Sequence, residues 1–212
     1  MKTSPDEQNM GNSQKYRPTI ILIAVNVAFY IYTSVVGGDF LNTNIDMLWT
    51  YGQVNGLVLY SGYYYQLFTS MFVHADIAHI VGNMLFLLIF GLRCEEMFSL
   101  PEYLSIYFLG GLTGNLLSLL LLPSATVSVG ASGAIFAMFG AAVIYERRSF
   151  SQSIIGALVY AFFLLLISSG PGVNAFAHIG GLFTGLLMGY VLATRRKPET
   201  RYTVSYSYSN FP

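Results

Sequence analysis

The chain has 212 residues, of which 54% are hydrophobic and only 9% charged, with a formal net charge of zero. A soluble domain carries roughly a quarter charged residues, so this composition excludes an ordinary water-soluble fold. It points instead to apolar runs of about 20 residues, the length that crosses a bilayer core.

Residues 1–18 are polar and charged, with Pro5, Gly11 and Pro18, and read as a cytoplasmic tail. They do not read as a signal peptide, because the apolar run that follows is long and has no small-residue cleavage site. The first span is expected over Thr19–Val36. Gly37–Gln66 is a long connection without Lys or Arg, holding Trp49, Tyr51, Tyr60 and the run Tyr63-Tyr64-Tyr65. Aromatic side chains with polar tips favour the membrane–water interface, so part of this connection is expected to lie in that plane. The second span is expected over Leu67–Leu92, the third over Pro101–Leu122, the fourth over Val129–Tyr145, the fifth over Ser153–Ser168 and the sixth over Asn174–Ala193. Short links make this one domain, residues 19–194, followed by a basic and then Tyr/Ser-rich tail over 195–212. The fold class is therefore an all-α membrane protein with six transmembrane helices.

Orientation has an independent check. All ten Lys and Arg fall on the N-terminal tail, the 2–3 link (Arg93), the 4–5 link (Arg147, Arg148) and the C-terminal tail. Six crossings put these four segments on one side, and the positive-inside rule makes that side, with both termini, cytoplasmic. Spans 2, 4 and 6 then run from outside to inside. Ser132 near the start of span 4, His178 near the start of span 6, and His79 and Asn83 in the first half of span 2 share one depth in the outer half of the membrane. His79 and Asn83 are four apart and so lie on one helical face. Polar side chains in spans are costly and face the bundle interior, so these four converge there.

Small residues permit the approach. Gly133, Ala137 and Ala141 form one ridge on span 4, and Gly181, Gly185 and Gly189 another on span 6. Such ridges let helix backbones pack closely. A serine needs a base within hydrogen-bond reach to act as a nucleophile, and His178 supplies one that can also protonate a leaving amine. The only carboxylate at this depth is Asp76, at the mouth, so the unit reads as a Ser132–His178 dyad. The Asn83 amide, a His79 ring N–H and the Ser132 backbone N–H offer donors for a developing oxyanion.

These residues carry a resemblance. Gly130-Ala131-Ser132-Gly133-Ala134, the pair Ala177-His178 with Gly181 and Gly185, and His74-x4-His79-x3-Asn83 together resemble the rhomboid intramembrane serine proteases, in order and over nearly all of residues 19–194. The resemblance implies a six-helix bundle with a water-filled cavity open to the exterior, at the cell membrane. It implies Ser132 as nucleophile and His178 as general base, with His79 and Asn83, and Gly130 beside them, at the oxyanion and substrate-binding positions. His74 matches a structural histidine near the cavity, and Glu95 a glutamate that braces span 2. The partners implied are single-pass or multi-pass membrane proteins as substrates, reached through the lipid between spans 2 and 5. No cofactor, metal or nucleic acid is expected.

One departure stands out: the family often has Trp-Arg just before span 2, where this chain has Tyr65-Gln66. The Tyr63–Tyr65 run is the expected substitute anchor for the first loop. Two other functions compete. A catalytically silent relative that binds membrane helices typically lacks the Ser or the His, and both are present. A transporter or metal enzyme fits less well: an ion or proton path wants carboxylates at mid-membrane, which the span centres lack, and a metalloprotease wants His-Glu-x-x-His, but Ile80 follows His79. Cys94 is a lone cysteine, so no disulfide forms within the chain.

Overall fold

The computed structural model describes residues 18–149, 155, 156, 158, 159 and 172–195, and it is mostly helical. In chain order the elements are α1 (Pro18–Gly37), α2 (Ile45–Tyr51), β1 (Gln53–Val54), α3 (Asn55–Ser61), α4 (Gln66–Thr69), α5 (Ile77–Met97), α6 (Leu100–Leu121), β2 (Val127–Ser128), α7 (Ser132–Ser149) and α8 (Ala175–Arg195). Among the described residues, four helices are long and apolar enough to cross a membrane: α1, α5, α6 and α8, of 20 to 22 residues. At 1.5 Å per residue each reaches about 30 Å, the thickness of a bilayer core.

The helix α7 is different. It is less apolar because it is built on Gly and Ala, and every residue from Gly133 to Ala142 is buried. It runs through the middle of the bundle, packed most extensively on α8 and also on α6 and α5. A Cβ added at Gly181 of α8 would strike the Gly133 carbonyl, and one at Gly185 would strike the Ala137 carbonyl. At Gly189 the Ala141 carbonyl would lie only 2.5 Å away. The two ridges therefore meet backbone to backbone, residue for residue. On the other side of α7, Gly110 of α6 accepts the Ala137 methyl in the same way.

The expected spans 1, 3 and 6 differ from α1, α6 and α8 by one or two residues at their ends, the usual uncertainty of helix boundaries. Span 2 requires a larger correction: its helix starts at Ile77, not Leu67, and ends at Met97, not Leu92. Asp76 is extended (φ −156°, ψ 173°) and caps α5 by accepting from the His79 N–H at 2.7 Å. The residues before it pair with the first loop, Thr43 N–H to the Ala75 carbonyl and Ile77 N–H to the Leu41 carbonyl. The run 67–73 thus packs as short α4 and the chain after it, buried from Ser70 to Val73, rather than as spanning helix. Span 4 likewise runs from Ser132 to Ser149, not from Val129 to Tyr145. Val127 and Ser128 form β2 and pair antiparallel with β1, a small sheet that an all-α reading did not include. The expected fifth span, Ser153–Ser168, lies outside the described residues apart from 155, 156, 158 and 159, which are helical. Residues 1–17 and 196–212 also lie outside them.

The first loop is held by neutral amides. Gln66 is fully buried; its Nε2 donates to the Trp49 carbonyl (2.7 Å), and its Oε1 accepts from the Val54 N–H (3.0 Å). Gln53 and Asn55 reach the carbonyls of Asn115 and Ser118 on α6. The expected anchor, Tyr63–Tyr65, is largely exposed, and only the Tyr65 hydroxyl joins in, donating to the Thr50 carbonyl. Gln66 itself occupies the anchoring position expected of Tyr63–Tyr65, bonding to backbone from its neutral amide. Asn115 donates to the Leu67 carbonyl and the Ser70 hydroxyl, and Asn26 to the Leu22 carbonyl and the Tyr107 hydroxyl.

Gly181→Ala should lower thermal stability in detergent by about 1–3 kcal/mol or more, because a backbone carbonyl cannot move aside as a side chain can. Gly82→Ala, where an added Cβ meets nothing within 4 Å, should leave the melting temperature unchanged or slightly raised. Equal losses at both positions would refute the close packing of α7 on α8.

Candidate active site

Three helices begin at one point in the bundle. Ser132 is the first residue of α7, His178 lies in the first turn of α8, and His79 lies in the first turn of α5. The packing of Gly181 on Gly133 fixes how far α8 stands from α7. It brings His178 Nε2 to 2.9 Å from Ser132 Oγ, a hydrogen bond. The imidazole is almost fully buried and lies flat on Phe136, with ring centroids 4.4 Å apart and planes 20° from parallel. Phe136 is one turn beyond Ser132 on α7, so the helix that presents the hydroxyl also supplies the platform for its partner. A bundle interior holds such a ring in one orientation, and Nε2 faces the hydroxyl.

The remaining site residues surround the same cavity, of about 700 Å³, lined among others by His79, Asn83, Gly130, Ser132, Phe136 and His178. That volume falls in the range that encloses a small ligand or a short stretch of chain. His79 Nδ1 faces the Ala75 N–H at 3.4 Å, which leaves the ring proton on Nε2. That nitrogen points toward Gly130: a Cβ built there would lie 2.8 Å from it. Gly130 has φ +117°, a conformation L side chains rarely adopt, so both backbone and space require glycine. Asn83 donates one amide hydrogen to the His79 carbonyl at 2.9 Å. Its second hydrogen is not used in a recorded bond, and the side chain lines the cavity.

The structure thus brings Ser132, His178, His79, Asn83 and Gly130 together around one space. His74 is set apart. It is fully buried and does not line the cavity; its ring meets His79 edge-on, with centroids 5.1 Å apart. Asp76 lies at the cavity and caps α5, so its carboxylate orients the His79 backbone rather than any imidazole. Glu95 accepts from the Thr19 N–H at 2.8 Å and braces the start of α1 against α5. Phe136 was not anticipated from sequence. Its position four residues after the serine was the available signal, but an aromatic on a buried helix reads first as core.

With this geometry in place, comparison with known proteins is decisive. The rhomboid-domain family profile matches residues 61–195. The chain belongs to the rhomboid family. It is 38% identical over 134 residues to "RHOMBOID-like protein 6, mitochondrial" of Arabidopsis thaliana, covering 60% of this chain and 43% of that protein. It is 37% identical over 131 residues to Rhomboid-like protease 3 of Toxoplasma gondii, covering 57% of this chain and 48% of that one. To the rhomboid protease GluP of Bacillus subtilis it is 30% identical over 180 residues, covering 82% of this chain and 34% of the relative. The chain spans less than half the length of each of these relatives. As a rhomboid with several long apolar helices, it is a multi-pass integral membrane protein.

Replacing the platform tests its importance. Phe136→Leu should slow modification of Ser132 by an active-site probe about three- to tenfold, the worth of one aromatic pair expressed as a rate. Phe136→Tyr keeps the stack and should stay near wild type. Equal rates for Leu and Tyr variants would mean that the stack does not hold His178.

Proposed function

We propose that this protein is an intramembrane serine endopeptidase that cleaves membrane-spanning segments of other proteins. The observation that carries the reading is the 2.9 Å hydrogen bond between Ser132 and His178 at the wall of a cavity inside a bundle of apolar helices. A serine paired with a buried imidazole has the arrangement of an activated nucleophile. Family membership supports the same chemistry, since two of the relatives carry protease in their names.

In the mechanism, Ser132 Oγ attacks the scissile carbonyl as His178 Nε2 takes its proton. The carbonyl oxygen becomes an oxyanion, held by Asn83 Nδ2, His79 Nε2–H and the backbone N–H of Ser132. Collapse of this intermediate breaks the C–N bond, and His178 returns its proton to the leaving amine. Water from the cavity then attacks the acyl-enzyme with His178 again as base, releasing the new carboxyl end and restoring Ser132. A helical substrate shields its carbonyls in its own hydrogen bonds, so the segment must unwind locally and helix-breaking residues near the cut favour cleavage.

The proposed topology has six spans over residues 19–194, both terminal tails on the cytoplasmic side, and a cavity open to the exterior of the cell membrane. The distribution of all ten Lys and Arg supports it. The starts of α5, α7 and α8 at one end of the bundle also support it, since they place the dyad near one surface.

Labelling with a fluorophosphonate probe tests the nucleophile. Wild type in detergent should label, while Ser132→Ala and His178→Ala should not. Absence of labelling in folded wild type would favour a silent protein that binds membrane helices. Asn83→Ala should fold and cleave a transmembrane substrate on the order of a hundred- to a thousandfold more slowly, the cost of one oxyanion donor. Cleavage at the full rate would remove Asn83 from the mechanism.

A further inference from the structure

Asn174 immediately precedes α8, and every polar group of its side chain is engaged. Its Oδ1 accepts from the Ala177 N–H at 3.1 Å, and its own carbonyl accepts from the His178 N–H at 3.3 Å. The side chain therefore caps the helix that presents His178. The amide nitrogen has two hydrogens. One goes to Ser118 Oγ on α6 at 2.6 Å, the other to Ser128 Oγ on β2 at 2.7 Å. Those two hydroxyls lie 3.2 Å apart, and both serines are buried.

The spacing gives this triangle its meaning. Asn174 is four residues before His178, and Ser128 is four residues before Ser132. The same two chain segments are thus joined twice, once by the dyad bond and once by the Asn174–Ser128 bond a few residues upstream. Ser118 ties the second junction to α6. Ser128 is itself fixed, paired with Gln53 in the small sheet, and Gly130 two residues on donates to the Ser70 carbonyl at 2.9 Å. The glycine ridge controls how far α8 stands from α7. Its contacts are van der Waals fit, and among the described residues no hydrogen bond joins the two helices along it. The Asn174 junction supplies the missing directionality.

We propose that Asn174 is a positioning residue. Through Ser118 and Ser128 it sets the register of α8 against the strand leading into Ser132, so that His178 Nε2 meets Ser132 Oγ. The proposal rests on the reading of Ser132 and His178 as a proteolytic dyad and adds a determinant outside it. A displacement of about 1 Å at reacting groups can cost on the order of a hundredfold in rate, so losing the junction has a large effect with no change at the reacting atoms.

Two variants separate positioning from capping. Asn174→Ser keeps a capping oxygen but cannot reach both hydroxyls. Ser118→Ala/Ser128→Ala leaves Asn174 and its cap intact and removes both acceptors. Each should lower the fluorophosphonate labelling rate about tenfold to a hundredfold, with the melting temperature close to wild type. The triple variant should lose no more than either alone, as one shared interaction requires. A second measurement does not depend on activity. Protein labelled with 15N at its three histidines gives an imidazole signal for His178 that reports its hydrogen bond to Ser132. In both variants this signal should move toward its position in Ser132→Ala, while that of His74 stays put. An unmoved His178 signal in both variants would overturn the proposal, whatever the labelling shows. Should wild type fail to label while the His178 signal still shifts, the positioning role stands and the protease reading falls.

Discussion

The structure depends on two helices touching through their backbones. Gly181, Gly185 and Gly189 of α8 lie on the carbonyls of Gly133, Ala137 and Ala141 of α7, and there is no room for a β-carbon at any of the three. In a bilayer the hydrophobic effect does not drive helices together, so association relies on close van der Waals fit. The same contact decides the chemistry. A seam one methyl group wider would carry His178 beyond hydrogen-bond reach of Ser132. Packing and site geometry are one constraint here, and α7 sacrifices apolar character to satisfy it.

An apolar bundle makes unpaired polar groups expensive and charges more so. The chain answers with neutral side chains bonded to backbone. Gln66, Gln53 and Asn55 bind the first loop, and Asn115 ties α6 to the chain around α4. The charged contacts that the structure records lie toward the other end of the helices, where Arg93 meets Glu96 and Glu146. Polar amides around the cavity and ions near the opposite surface form a sensible division of labour. An amide fixes a loop without the large desolvation cost of a charge.

Three helix N-termini converge on the cavity. Each contributes the positive end of a helix dipole, a setting that favours negative charge in the space between them. Asp76 caps α5 and Asn174 caps α8, so these helix ends are fixed as well as aligned. The proposed reaction develops an oxyanion in that space, and the field of the scaffold suits it before any side chain acts.

Much of this was legible in the chain itself. The apolar runs, the placement of Lys and Arg, and the triplets of small residues follow from local rules that sequence expresses directly. So did the pairing of Ser132 with His178, because the helical period and a shared depth leave few partners for either. The departures arose where backbone hydrogen bonding overrides apolarity. Residues 67–73 are mostly apolar and read as the start of a span, yet Asp76 caps the helix after them and the first loop pairs with the chain before it. Val127 and Ser128, expected in a link, form a strand because Gln53 and Val54 are there to receive them. Gln66 as anchor, Phe136 as platform and Asn174 as junction were equally invisible. Each depends on a group distant in sequence, and a side chain's role is set by the partner that the fold delivers. Sequence determined where the long apolar helices lie, since periodicity and hydrophobicity are local. Only the tertiary structure decided which neighbour each polar group would meet, because hydrogen bonds are short and their partners lie tens of residues away.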